Sequence, residues 1–438
     1  MAEDRFSRFG LIEWWDQQKL RDAKILVVGA GAIGNEVLKN LALLGIGHIL
    51  VIDRDSIVLS NLSRSVLFRT GDVGRQKAVV SAERTREIYD GCKVVAFSGN
   101  VMYELGLGVF GWADVILGAL DNREARLWVN RTAWKMNRPW VDGAIEGING
   151  VARVFLPGKP PCYECTLGEA DWKILEKRMS CNLLTREDME RGKTPTTPTT
   201  SSVIAGIQVQ EALKLLHGMP VLAGKGFVFE GMNHTSYVVE YTPNEDCFSH
   251  EVYADVRSWP KPSEETTLTG LYTYAQSELG AAEVALDFSR DIIKALCCPS
   301  CGISTDVFAC VGTLSEDQGK CPVDGTMREV VTIHGYAGKE PFGKKTVNSL
   351  GLPAYDVFVA RSKDREIQIL IYGDRARVLR GFSRDRRGVQ NVLPKEAKNI
   401  HKTSGATRPP TFYGSEPFLY WRRTGSSPRS SIPKGRRR

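Results

Sequence analysis

Two groups of residues in this chain have the types and spacing of reactive or ligand-holding side chains. The first is glycine-rich: Gly29, Gly31 and Gly34 in the run K-I-L-V-V-G-A-G-A-I-G. The apolar stretch Ile25 to Val28 reads as a buried parallel strand, and a helix follows from about Asn35 to Leu44. Glycines at such a turn let backbone N–H groups approach a phosphate at a helix N-terminus. A second apolar strand, His48 to Ile52, ends in Asp53, where an acidic residue would take ribose hydroxyls. To this point an NAD-dependent dehydrogenase fits equally well. It has no need of what comes next, D-R-D-S-I-V-L-S-N-L-S-R-S-V-L-F, with Asp55, Asn61, Leu62, Arg64 and Phe68. An Asn and an Arg three apart suit an enzyme that must hold and neutralise a triphosphate. Lys77 opens a helix after the loop G-D-V-G-R-Q. Asp121 follows the apolar run Val115 to Leu120, and carboxylates at the C-terminal ends of parallel strands face the ligand crevice. It is placed to hold Mg²⁺, a hard cation usually bound through one or two carboxylates. Asn122 fits the same site and also reads as a helix N-cap.

The second group is cysteines. Six of the ten lie in four C-x-x-(C/H/D) arrangements: Cys162 and Cys165, Cys247 and His250, Cys298 and Cys301, Cys321 and Asp324. In a chain with no export signal this usage favours zinc over disulfides, although one C-x-x-C alone also fits a redox pair. Cys181 stands apart in a polar segment beside Lys177 and Arg178, which would favour its thiolate. A lone cysteine is more often a small buried hydrophobe.

Together these segments resemble the ThiF/MoeB family, which includes the ubiquitin-activating enzymes and the adenylyltransferases of bacterial sulfur-carrier proteins. The resemblance runs from about Arg5 to Asn244. It rests on N-L-x-R, the G-x-x-K lysine Lys77, D-N-x-x-x-R-x-x-x-N (Asp121, Asn122, Arg126, Asn130), P-W-V-D-G-A-I and the cysteine pairs. Ser65 stands where the family usually has Gln, and His250 where it has Cys. The resemblance implies an α/β, Rossmann-like adenylation domain with a mixed sheet that uses ATP and Mg²⁺. It implies one zinc ion on Cys162, Cys165, Cys247 and His250, and a homodimer in which Arg8, with Arg5 in reserve, reaches the partner's ATP site. Cys181 matches the thioester cysteine, on a crossover loop before the amphipathic helix Val203 to Leu216. The activity implied is adenylation of the C-terminal glycine of a ubiquitin-like protein. The acyl group then passes to Cys181 as a thioester and on to a conjugating enzyme. A sulfur-carrier adenylyltransferase is the alternative. A scaffold without catalysis is a further one, against which Arg64, Lys77 and Asp121 argue.

The elements that must position these residues fill a 438-residue chain, long enough for two or three domains. Residues 1–250 form the adenylation domain. Residues 251–345 read as a linker, with Trp259 to Thr267 rich in Pro, Lys and Glu, then a helical region from Tyr272 to Val284 and a zinc-ribbon-like module. There C-P-S-C-G is answered by C-P-V-D-G, so Cys298, Cys301 and Cys321 would be ligands, with Cys310 or Asp324 as the fourth. Alternatively, Cys298 and Cys301 close the first site. A β-hairpin, Tyr355 to Ala360 with Glu366 to Tyr372, marks a module over 346–393, and 394–438 reads as a disordered basic tail. From Asp374 to Arg438 there are 17 Lys and Arg against 4 Asp and Glu, a surplus of 13, so the chain-wide +7 leaves −6 on the remainder. The basicity belongs to the tail, for which a solvated segment is favoured over a nucleic-acid contact. No apolar run reaches the length of a membrane span and the N-terminus lacks a signal peptide, so a cytoplasmic protein is expected.

Overall fold

The computed structural model describes residues 4–179 and 195–372, which leaves Cys181 and the basic tail outside the described residues. Asp16 caps the first helix, α1 (Gln17–Asp22), its carboxylate accepting from the amides of Gln18 and Lys19. The chain then alternates β1 (Lys24–Val28), α2 (Ala32–Leu44), β2 (His48–Asp53), α3 (Lys77–Ile88), β3 (Lys93–Ser98), α4 (Leu107–Trp112), β4 (Val115–Gly118), α5 (Arg123–Lys135) and β5 (Trp140–Glu146). After β6 (Asn149–Phe155) come α6 (Glu169–Met179), α7 (Pro198–His217), β7 (Lys225–Glu230) and β8 (Thr235–Glu240).

These strands form one sheet in the order β3-β2-β1-β4-β5-β6-β7-β8, parallel as far as β5 and antiparallel from β5 to β8. The mixed sheet follows from the connections. Long helical crossovers join the parallel strands, whereas β5–β6 and β7–β8 are tight turns. Ile25 and Val27 of β1 face a core built with α2 and α7, and Leu26 and Val28 face a second core with α4 and α5. Both faces are covered, which is why β1 and β2 read as unbroken apolar runs. The helix α7 starts at Thr197, whose hydroxyl caps it, and stops at Gly218 in the left-handed conformation.

A second sheet holds β9 (Val256–Trp259), β10 (Ala285–Cys297), β11 (Ser304–Cys310), β12 (Glu329–Tyr336), β13 (Val357–Arg361) and β14 (Glu366–Ile371), packed against α8 (Leu268–Leu279). Its 13-residue β10 serves three partners: β13 at its start, β11 at its end and β12 along its length. The hairpin β13–β14 therefore shares a sheet with the ribbon stretch, since β14 also pairs with β9. The presumed linker at Trp259 to Thr267 is packed. Trp259 ends β9, its ring meets Tyr274 at 5.1 Å, and its Nε1 donates to Thr266 at 2.8 Å. The helix expected over Tyr272 to Val284 starts earlier, because Thr267 caps it, and stops sooner, because Gly280 adopts φ +63.

A buried ion pair docks this sheet on the first one. Arg290 and Asp356 are 8% and 1% exposed and lie 3.6 Å apart. Arg290 donates to the carbonyls of Tyr103 and Leu105 at 3.0 and 3.1 Å and stacks on Trp128, while Asp356 accepts from the Leu107 amide. Truncating one partner would strand a buried charge. Asp356→Ala should lower unfolding stability by about 3 kcal/mol or more, measured by urea titration of the full chain.

Candidate functional site

A cleft of about 1600 Å³ opens at the ends of β1, β2 and β4. The three glycines of the first turn have separate duties. Gly29 has φ +99, and a Cβ there would lie 2.3 Å from the Ala119 carbonyl oxygen. Gly31 lines the cleft, and a Cβ there would meet nothing within 4 Å, so its backbone is open to a ligand. Gly34 is a correction to the expected ligand role. It is buried rather than lining, and a Cβ there would lie 2.1 Å from the Gly29 carbonyl, so it serves the packing of α2 on the turn.

Asp53 closes the turn by accepting from the amides of Ala30 and Asp55 at 2.7 and 2.8 Å. Burial pushes its carboxyl above the usual range, against the opposing pull of Lys77. Lys77, at the first position of α3, lies 2.8 Å from Asp55, and both line the cleft. Asn61 and Arg64 line it too. The Asn61 side chain accepts from the Val58 amide at 3.1 Å, and Arg64 donates to the Ser60 carbonyl at 2.8 Å. Among the described residues no carboxylate pairs with Arg64, which leaves its charge available to an anion. Across the cleft, Asp121 accepts from Asn122 at 3.1 Å while the Asn122 oxygen caps α5 at the Ala125 amide. Asn122 thus caps α5 and also lines the cleft.

Two residues of the long motif turn inward. Arg126 binds buried Asp142 at 3.0 Å and also holds the carbonyls of Gly143 and Leu120. Asn130 accepts from the Tyr163 amide at 3.0 Å. Asp142 also takes Arg153, with Nε at 3.1 Å, and Arg153 sits 5.0 Å from the Tyr163 ring on the cleft wall. Arg153 and Tyr241 escaped the sequence reading. The only signal for Arg153 is its register opposite Asp142 on β5–β6, which one chain's sequence does not display. Arg8 is exposed and does not line the cleft of its own chain, and Arg5 stacks on Tyr89 at 5.3 Å.

Cys162, Cys165, Cys247 and His250 converge, with all four donor atoms within 4.8 Å of one another. The Cys162 sulfur lies 3.8 Å from Cys165 and 3.6 Å from Cys247, and Cys165 lies 3.4 Å from His250 Nε2. A tetrahedral ion with metal–sulfur bonds of about 2.3 Å sets its sulfur ligands roughly 3.8 Å apart. The donor set fits zinc. Burial pushes the thiols of Cys162 and Cys247 up and His250 down, against the pull of Glu164 on the imidazole. Trp134 stacks on His250 at 4.5 Å, and Glu164, between the first two cysteines, is held by Arg131 at 2.8 Å and by the Ser249 hydroxyl. Cys298 and Cys301 do not join this group. They meet Cys321 and Asp324, and Cys310 is excluded because it is buried and its thiol donates to the Gly351 carbonyl at 2.9 Å.

The parallel part of the sheet, the glycine-rich turn after β1 and the acidic residue that ends β2 define the class, a Rossmann-like α/β domain. The ThiF family matches residues 4–249, more than half of the chain, and the chain belongs to that family. It is 38% identical over 154 residues to the "Ubiquitin-activating enzyme E1-like" of Saccharomyces cerevisiae. It is 40% identical over 162 residues to the NEDD8-activating enzyme E1 catalytic subunit of Arabidopsis thaliana, and 40% over 150 residues to the SUMO-activating enzyme subunit uba-2 of Caenorhabditis elegans. These matches cover 35%, 34% and 34% of this chain but only 24%, 36% and 26% of the relatives, so the chain matches about a third or less of their length. Among solved structures, E. coli MccB with ATP is 25% identical, covers 57% of this chain and 75% of its own, and has a TM-score of 0.48.

Structural zinc binding is folding free energy, on the order of 10 kcal/mol in small zinc-binding peptides. Cys162→Ser should therefore lose one zinc ion per chain and unfold at markedly lower denaturant. Metal analysis alongside a urea titration checks both.

Proposed function

We propose that this protein activates the C-terminal glycine of a ubiquitin-like protein by adenylation with ATP and then holds it as a thioester on Cys181. The observation that carries the reading is the meeting of Gly31, Asp53, Arg64, Lys77 and Asp121 in one cleft. Four residue types there suit four parts of a nucleotide: backbone for phosphate, Asp53 for ribose, two cations for the triphosphate charge, and a carboxylate for Mg²⁺. When bound, Mg²⁺ would supply further neutralisation of the triphosphate. The family membership and the names of the relatives support the same reading.

In the first step a carboxylate oxygen of the carrier protein attacks the α-phosphorus of ATP. The bond to the bridging oxygen breaks and pyrophosphate leaves. Arg64 and Lys77 stabilise the charge that builds on the phosphates, and positioning supplies most of the rest. In the second step the Cys181 thiolate attacks the acyl carbon, a thioester forms and AMP leaves. The cleft continues past the nucleotide residues to Gly150, Val228 and Tyr241, room for an extended C-terminal peptide. Cys181 lies two residues beyond α6 and fourteen before Pro195, whose carbonyl accepts from Gly147 at 2.7 Å. Thr196 lines the cleft itself, so the chain re-enters the described residues at the cleft wall. Transfer from Cys181 to a conjugating enzyme, a homodimer with Arg8 donated in trans and a cytoplasmic location complete the proposal. Among the described residues no helix is long and apolar enough to cross a membrane.

Arg64→Ala and Asp121→Ala should each reduce ATP–pyrophosphate exchange by about 100-fold or more. Mixing Arg8→Ala with Asp121→Ala chains should restore part of the exchange, since each mixed dimer then contains one intact composite site. No restoration in a mixture shown to exchange subunits would place the site within one chain.

Cys181→Ala should leave pyrophosphate exchange near the wild-type rate and abolish a reductant-labile adduct with the carrier on a non-reducing gel. Cys92→Ala is the control that keeps the adduct. Sulfur-carrier chemistry is indicated instead if adenylation proceeds and no thioester forms in the wild type.

A further inference from the structure

The cysteine motifs of the second sheet have no part in adenylation. We infer that Cys298, Cys301, Cys321 and Asp324 form a second zinc site whose ion, unlike that of the Cys₃His centre, is readily exchanged. The site is built as two matched knuckles. In C-P-S-C-G the Gly302 amide donates to the Cys298 carbonyl at 3.0 Å, and in C-P-V-D-G the Gly325 amide donates to the Cys321 carbonyl at 2.9 Å. The Cys298 amide donates to Ile303 and the Cys321 amide to Thr326, at 2.9 and 2.8 Å, and both glycines have φ +73. A left-handed residue at that position closes each loop, and glycine takes it without strain. Asp324 thus stands in the second knuckle where Cys301 stands in the first.

The donor atoms have ligand spacing. Cys301 and Cys321 sulfurs lie 3.7 Å apart, Cys298 lies 3.6 Å from Asp324 Oδ2, and all four donors fall within 4.8 Å of one another. The Thr326 amide donates to the other Asp324 oxygen at 3.0 Å and fixes the carboxylate. The first knuckle joins β10 to β11, and the second precedes β12, which also pairs with β10. An ion here clamps the far ends of three strands.

Exchange follows from the ligands and their surroundings. Zinc is tetrahedral and borderline-soft, and a carboxylate oxygen is a harder donor than a thiolate. Cys301 and Asp324 are both exposed, whereas the Cys₃His centre has no exposed ligand and is covered by Trp134. Water and chelators reach the second ion more readily than the first.

The full chain, purified from zinc-supplemented culture without chelators, is the material for the test. Metal analysis should give two zinc ions per chain. With the chromogenic chelator 4-(2-pyridylazo)resorcinol, one ion should leave in a fast phase and one slowly. Asp324→Ala should retain one ion and show only the slow phase. Asp324→Cys keeps four ligands and hence its fold, and should hold two ions with the fast phase slowed by about tenfold or more. Cys310→Ser should behave as the wild type. A fast phase that is unchanged in Asp324→Cys, or lost in Cys310→Ser, overturns the inference, as does a wild-type chain that binds a single ion.

Discussion

Asp142 has no exposed surface, and its carboxylate oxygens each face an arginine. A buried charge of this kind persists only when it is paired and hydrogen-bonded, and removing one partner costs about 3–5 kcal/mol. The pairing joins several elements around the cleft. Arg126 comes from α5 and also holds the Leu120 carbonyl, which sets the backbone just before Asp121. Arg153 comes from β6 and lies over Tyr163, the neighbour of the zinc-type ligand Cys162. One carboxylate therefore sits where the sheet changes from parallel to antiparallel and links the cleft to the metal-type centre.

The Cys₃His group adds a second fixed point. It joins the connection between β6 and α6 to the segment after β8, and it leans on α5 through Trp134 and Arg131. Those elements border the crossover that carries Cys181.

The second sheet is held by a different device. Its contact with the 103–108 segment centres on Arg290 and Asp356, which meet the carbonyls of Tyr103 and Leu105 and the amide of Leu107. Polar burial of this kind sets a particular docking geometry, because every donor must meet its acceptor. Apolar contacts around Leu107, Val357 and Val359 then fill the space between.

Short-range pattern was enough to place much of the site. The glycine turn, Asp53 at the end of β2, Asn122 as a cap and Lys77 at a helix start depend on neighbours within a few residues, where spacing and local geometry are tied together. The C-x-x-C pairs were legible for the same reason, since one turn of chain brings two donors to one side. The rest was decided in three dimensions. Gly34 packs instead of lining the cleft because the Gly29 carbonyl lies against it. Arg153 matters because antiparallel register sets it opposite Asp142, and register is a relation between strands. Asp324 and not Cys310 joins Cys298, Cys301 and Cys321, because β11 buries the Cys310 thiol against the Gly351 carbonyl. Distances between residues far apart in the chain are set by packing and by the pairing of buried charge, and no local pattern carries them.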